Sequence, residues 1–111
     1  MEEDFEEEEE PETLLPAEVS QQLERSVRPE GGERISGLLR GNFGPKQMKI
    51  TLFTGFCPPF TRIPSVKCVV VEGDAELEIT HITPQGVSLS VRKKQRVPFE
   101  DSVILHLLAE E

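Results

Sequence analysis

The sequence predicts an all-β protein: an antiparallel six-stranded β-sandwich or small barrel, preceded by an acidic N-terminal arm and a short helix. Three observations predict it. From about residue 34 onward the apolar residues recur at every second position, the period of a half-buried strand. Six such stretches are separated by turn signals: Gly44-Pro45, Pro58-Pro59, Gly73-Asp74, Pro84-Gln85-Gly86 and Val97-Pro98. No long helical pattern alternates with the strands, as a parallel sheet would need. The chain therefore divides into residues 1–34, holding arm, helix and linker, and residues 35–111, the sandwich.

The arm comes first. Residues 1–12 hold nine acids and no base, whereas residues 13–111 hold 12 of each, so the net charge of −9 belongs to the arm. So acidic a stretch with one Phe cannot offset its own ordering entropy. From Ala17 to Val27 the apolar positions Val19, Leu23 and Val27 recur every four residues, which predicts one helical stripe. Pro16 suits its first turn, and Pro29 with Gly31-Gly32 ends it. A helix of about eleven residues is marginal alone and must dock on something. Leu14, Leu15, Val19 and Leu23 are its candidate contact residues.

The strands follow in order. Arg34 to Arg40 is a weak first strand, and Gln47 to Phe53 sets Met48, Ile50 and Leu52 against Lys49 and Thr51. Val66 to Val71 is β-branched with Lys67 its one strongly polar member. Glu76 to Ile82 alternates Leu77, Ile79 and His81 against Glu76, Glu78 and Thr80. Gly86 to Lys93 sets Val87, Leu89 and Val91 against Ser88, Ser90 and Arg92, after a hairpin at Ile82–Val87. Ser102 to Leu108 is apolar on both faces except at His106, which predicts a strand at the sandwich centre or at a subunit interface, with Ile104 and Leu108 as contacts. A β-body this small has modest stability, and oligomerisation would supply more buried surface.

Composition excludes several classes. The neutral body offers no phosphate-neutralising surface, so nucleic acid is not an expected partner. No apolar run approaches the ~20 residues that span a bilayer, and the acidic N-terminus is no secretory signal. Cys57 and Cys68 lie among apolar residues without Cys-x-x-Cys spacing and are expected reduced and buried. His81 and His106 have no Cys, Asp or Glu at metal-ligand spacing. Neither a nucleophile elbow nor a Gly-rich phosphate loop is present. A protein without catalysis, cofactor or metal is expected.

Two features remain as interaction candidates. Residues 53–66 (FTGFCPPFTRIPSV) place Phe53, Phe56 and Phe60 around Pro58-Pro59, either as a crossover whose rings cap the sandwich or as an exposed contact loop. Arg92, Lys93, Lys94 and Arg96 form a basic cluster on an expected hairpin tip, either a solvated loop or a weak latch for an acidic surface such as a neighbour's arm.

Residues 48–91 resemble the small β-sandwich modules of bacteriophage virions, found on tail spikes and fibres and related in pattern to H-type lectin domains. The resemblance rests on the strand Met48–Phe53 leading to an aromatic–Pro–Phe turn, on Ile63-Pro64-Ser65-Val66 opening an apolar strand, and on Ile82 to Val87 as Ile-Thr-x-x-Gly-Val. It implies an antiparallel sandwich of about six strands assembled as a trimer. No sugar-binding position carries over, and the acidic arm lies outside that pattern. The expected role is a structural component of a virus particle, a head decoration or a head or tail fibre part, tied by its arm to neighbouring capsid or tail proteins. A glycan- or receptor-binding head and an acidic histone-chaperone-like oligomer are the alternatives.

Overall fold

The computed structural model describes residues 15–111; Leu14 and the acidic stretch 1–12 lie outside the described residues. Seven strands follow one another: β1 (Gln21–Val27), β2 (Glu33–Phe43), β3 (Lys49–Gly55), β4 (Ser65–Glu72), β5 (Ala75–Thr83), β6 (Gly86–Lys93) and β7 (Asp101–Glu110). They form two antiparallel sheets, one of four strands ordered β1-β2-β7-β4 and one of three ordered β3-β6-β5. The facing sides of both sheets supply one core, in which Ile35, Leu39 and Phe43 of β2 and Val103, Leu105 and Leu107 of β7 meet Val87, Leu89 and Val91 of β6. The alternation read from the sequence is what makes this possible, since successive strand residues point to opposite faces.

The six expected strands form, but the expected helix does not, and a seventh strand in its place makes the sandwich seven-stranded and not six-stranded. Residues 21–27 are β1, hydrogen-bonded antiparallel to β2 from Gln21↔Leu39 to Val27↔Glu33. A spacing of four is also twice the strand period, so Val19, Leu23 and Val27 share one face in either conformation. The free edge of β2 decides between them by offering a row of backbone partners to a segment too short to be a stable helix alone. The predicted stop signal is the hairpin turn itself: Arg28 donates its amide to Gly32 O, and Gly31 and Gly32 take φ of 105° and 84°, a left-handed geometry suited to glycine. β1 and the start of β2 thus come from the stretch expected to be arm, helix and linker.

Two further expectations are corrected. The stretch after β6 is not a hairpin tip, because β6 and β7 belong to different sheets and residues 94–100 cross between them. In β5 the register slips between Ile79 and His81. That bulge turns His81 outward and returns Ile82 to the core side, where it packs with Leu77 and Ile79.

The crossover at residues 56–64 closes one end of the sandwich. Phe56 and Phe60 are both buried with ring centroids 5.0 Å apart. Their amides donate to Gln85 O and Pro84 O at the β5–β6 turn, which ties the loop to the end of the three-stranded sheet. The Arg25 guanidinium lies 5.1 Å from the centre of the Phe60 ring and donates to Pro58 O. At the other end Lys93, only 4% exposed, reaches Asp101 at 2.5 Å and lies 5.6 Å from the Phe43 ring centre. Burying an ammonium is tolerable only with such a partner.

Asp101 records that contact. Its carboxyl is held below the ordinary value, first by the hydrogen bond from Lys93 and then by the Ser102 amide. A depressed folded-state pKa contributes stability above the unfolded value, near 3.8, and loses it as pH falls through the folded value. The expected result is a decline in the urea midpoint as pH is lowered from about 5 to about 2, with a shallower decline in Asp101→Asn. An identical pH profile in the variant would show that this pair is uncoupled from folding.

Candidate interaction face

The two sheets turn very different surfaces to the outside. On the three-stranded sheet the outward positions are Lys49, Thr51 and Phe53 of β3, Ser88, Ser90 and Arg92 of β6, and Glu76, Glu78 and His81 of β5. All but Phe53 are polar, as expected of a solvated face.

On the four-stranded sheet the outward residues fall into rows set by the register. One row runs Gln22, Leu38, His106, Val69, and the next runs Glu24, Ser36, Leu108, Lys67. Ile104 stands between Arg40 of β2 and Glu72 of β4, and Val71 is the extra residue of a bulge between Val70 and Glu72 on the β4 edge. Val69 is 56% exposed and Val71 44%, while Leu38 and Leu108 are half-buried. Leu38 and Val69 flank His106 in one row, and Leu108 lies diagonal to both in the next, so these apolar side chains gather around a histidine and not singly over the surface.

One corner of this face is already covered. Arg40 donates from its guanidinium to the carbonyls of Leu15, Pro16, Ala17 and Val19 at 2.7–3.1 Å. Among the described residues, Leu15 and Ile104 are the buried apolar ones that lie outside the inter-sheet core. The segment 15–19 is thus pinned against the face beside Ile104, with Val19 half-buried.

The other candidates sort as follows. Leu15 and Ile104 are both buried outside the inter-sheet core, and Leu108 stays partly open on the outer face, whereas Leu23 packs inward on the core. Phe56 and Phe60 are consumed by the core, which leaves Phe53, at 61% exposed, as the one outward ring of the three. The basic cluster is partly neutralised in place: Lys93 pairs with Asp101, and the Lys94 Nζ lies 3.7 Å from Asp74. Arg92 and Arg96 remain exposed. Sequence reasoning passed over Leu38, Val69 and Val71; their signal was a pair of strands with apolar residues at adjacent positions, Leu38-Leu39 and Val69-Val70-Val71, which cannot all face one core.

The chemistry-bearing residues stay apart. His81 and His106 occupy the outer faces of opposite sheets. Cys57 is exposed, against expectation, because it sits in the crossover loop beside the two core rings; Cys68 is half-buried, and burial pushes its thiol up to about 11, so it stays protonated at neutral pH. Among the described residues no three His, Cys, Asp or Glu are placed to hold a metal ion. A cleft of about 190 Å³ opens between the sheets at the β1–β3 side, lined by Ser20, Gln21, Leu39, Leu52, Phe53 and Thr54. The Thr54 hydroxyl is buried there without a hydrogen-bond partner among the described residues.

No protein-family model matches the chain, and no curated protein matches it. Among solved structures, the fold is similar to that of the tailspike of Pseudomonas phage phi297, with a TM-score of 0.54 at 14% sequence identity. The match covers 69% of this chain and 15% of the tailspike chain, so the likeness is to one part of a much longer protein. The resemblance to phage tail modules read from residues 48–91 thus has a counterpart in three dimensions.

Proposed function

We propose that this chain is a non-enzymatic structural or assembly component of a bacteriophage particle, on the tail or fibre side, and that it works as a homo-oligomer, by preference a trimer. In this reading its N-terminal segment contacts neighbouring virion proteins. The observation that carries the proposal is the fold likeness to a part of a phage tailspike. The separation of the two histidines and the protonated Cys68 support a role without catalysis. Protein–protein burial is the mechanism, at about 25 cal/mol for each Å² of apolar surface removed from water. Immunogold labelling of purified particles that encode the chain should decorate the tail. Absence of the chain from washed particles would overturn the proposal.

A second reading has one observation in its favour. The β1–β3 cleft is lined by Ser20, Gln21, Arg40 and Thr54, and the Thr54 hydroxyl has no hydrogen-bond partner among the described residues. A cleft with several polar residues suits a small polar ligand, as a glycan- or receptor-binding head would require. A glycan array without hits at high protein concentration would remove this reading.

A further inference from the structure

We infer that the outer face of the four-stranded sheet is the contact between copies of this chain, centred on Leu38, Val69, Val71 and Leu108. The inference rests on the homo-oligomer reading above but not on its preference for a trimer, because a face matched to itself pairs copies about a two-fold axis.

The contrast between the two outer faces is its first support. One sandwich built from one alternating sequence has an outside on β3-β6-β5 that is polar except for Phe53, whereas on β2-β7-β4 Leu38, Val69, Ile104 and Leu108 stand among Ser36, Arg40, His106 and Lys67. Covering such an apolar cluster is favourable in water.

Size and charge then choose the occupant. Four strands about 4.8 Å apart, each with about four outward positions some 6.8 Å apart, span roughly 500 Å² in projection. That is of the order of the ~800 Å² of accessible surface each partner contributes to a standard interface. Residues 1–14 are the alternative cover, since the described chain begins on this same face. They hold nine acids beside Met1, Phe5 and Leu14, and laying those acids over valine and leucine would strip their hydration without return. A second copy has no such cost, because the body of the chain is neutral with 12 acids and 12 bases.

The face is also complementary to itself. Glu24 stands at the β1 margin and Lys67 at the β4 margin of one row, with Ser36 and Leu108 between them. Neither has an ion-pair partner among the described residues, whereas Arg34 is held by Glu110 and Arg40 by backbone carbonyls. A copy set against this face with its strands alongside and its margins exchanged brings its Glu24 to Lys67. Complementary charge at opposite margins fixes the register of an apolar contact.

Sedimentation equilibrium of the full chain tests this. The wild type is expected to form a defined oligomer at micromolar concentration. Val69→Lys with Val71→Lys, both at exposed positions that the monomer tolerates, should weaken association at least about 100-fold, because buried unpaired ammonium groups are strongly unfavourable. Thr51→Lys on the other sheet should leave it unchanged. Glu24→Lys and Lys67→Glu should each weaken association about 10-fold, and the two together should restore it. An oligomer that survives both valine substitutions overturns this face while leaving the homo-oligomer intact. A wild-type monomer overturns both. Dissociation on deleting residues 2–14, with the valine variants still associated, would assign the contact to the N-terminal segment instead.

Discussion

Phe60→Ala is expected to lower the free energy of unfolding by about 3–5 kcal/mol, the cost of emptying an aromatic site in a packed core. The ring is 4% exposed and is held on three sides. Phe56 packs against it at 5.0 Å with the planes tilted by 59°, and the Arg25 guanidinium lies 5.1 Å from its centre. Its amide is fixed to Pro84 O at 2.9 Å, so the backbone cannot follow the shortened side chain inward. The cavity would therefore persist, and the cost should fall in the upper half of that range. Phe53→Ala is the matched control: the same atoms are removed from a ring 61% exposed, and the expected loss is about 0.5 kcal/mol. Guanidinium denaturation of both variants reads the difference. Equal losses for the two would mean that the crossover is not a plug, and the description of that end of the sandwich would fail.

The same loop shows how much of this fold the sequence made legible. Three Phe around two Pro announced a compact crossover. Phe53 turns outward because it continues the Lys49 and Thr51 side of β3, opposite Ser88, whereas Phe56 and Phe60 lie past the end of that strand, where alternation no longer assigns a side. The six strands after residue 33 were readable because burial on one face imposes a period of two. β1 was not, because a period of four satisfies helix and strand alike, and its conformation is chosen by the edge of a strand that follows it in the chain, from Glu33 to Leu39. His81 was misassigned because a bulge is a tertiary adjustment that leaves the residue pattern unmarked. The candidate face was half legible. Ile104 and Leu108 stood out as the second apolar side of β7, yet Leu38 and Val69, which flank His106 between them, could be placed on that face only once the order β2-β7-β4 was known. Lys93 marks the opposite case: a cation in a basic run reads as solvent-facing, and only the fold brings Asp101 and Phe43 to it.

Gly37→Ala tests the one element that the sequence pattern misrepresents. Gly37 lies in β2 opposite Leu23 of β1 on one side and Leu107 of β7 on the other. A Cβ added there would sit 2.0 Å from Gln22 O and 2.8 Å from the Leu23 Cα. Both are backbone atoms of β1, so no rotamer change can relieve the overlap, and β1 itself must move. Overpacking against a rigid neighbour costs about 1–3 kcal/mol and at times more. Here about 3 kcal/mol is expected, because displacing β1 also frees its hydrogen bonds to β2 and withdraws Leu23 from the core. The loss should be local in character. Amide exchange along β1 should accelerate far more than along β6 or β7, whose protection depends on the inter-sheet core. The pinned segment 15–19 should loosen with β1, since Arg40 holds it only while Ser20 O accepts from the Arg40 amide at the end of the β1 ladder. If β1 were held by its own helical preference, Gly37→Ala would be neutral or stabilising, as alanine restricts the unfolded chain more than glycine does. A stable variant with unchanged exchange in residues 21–27 would therefore contradict the strand assignment. It would also remove the Glu24 margin on which the self-complementary face depends.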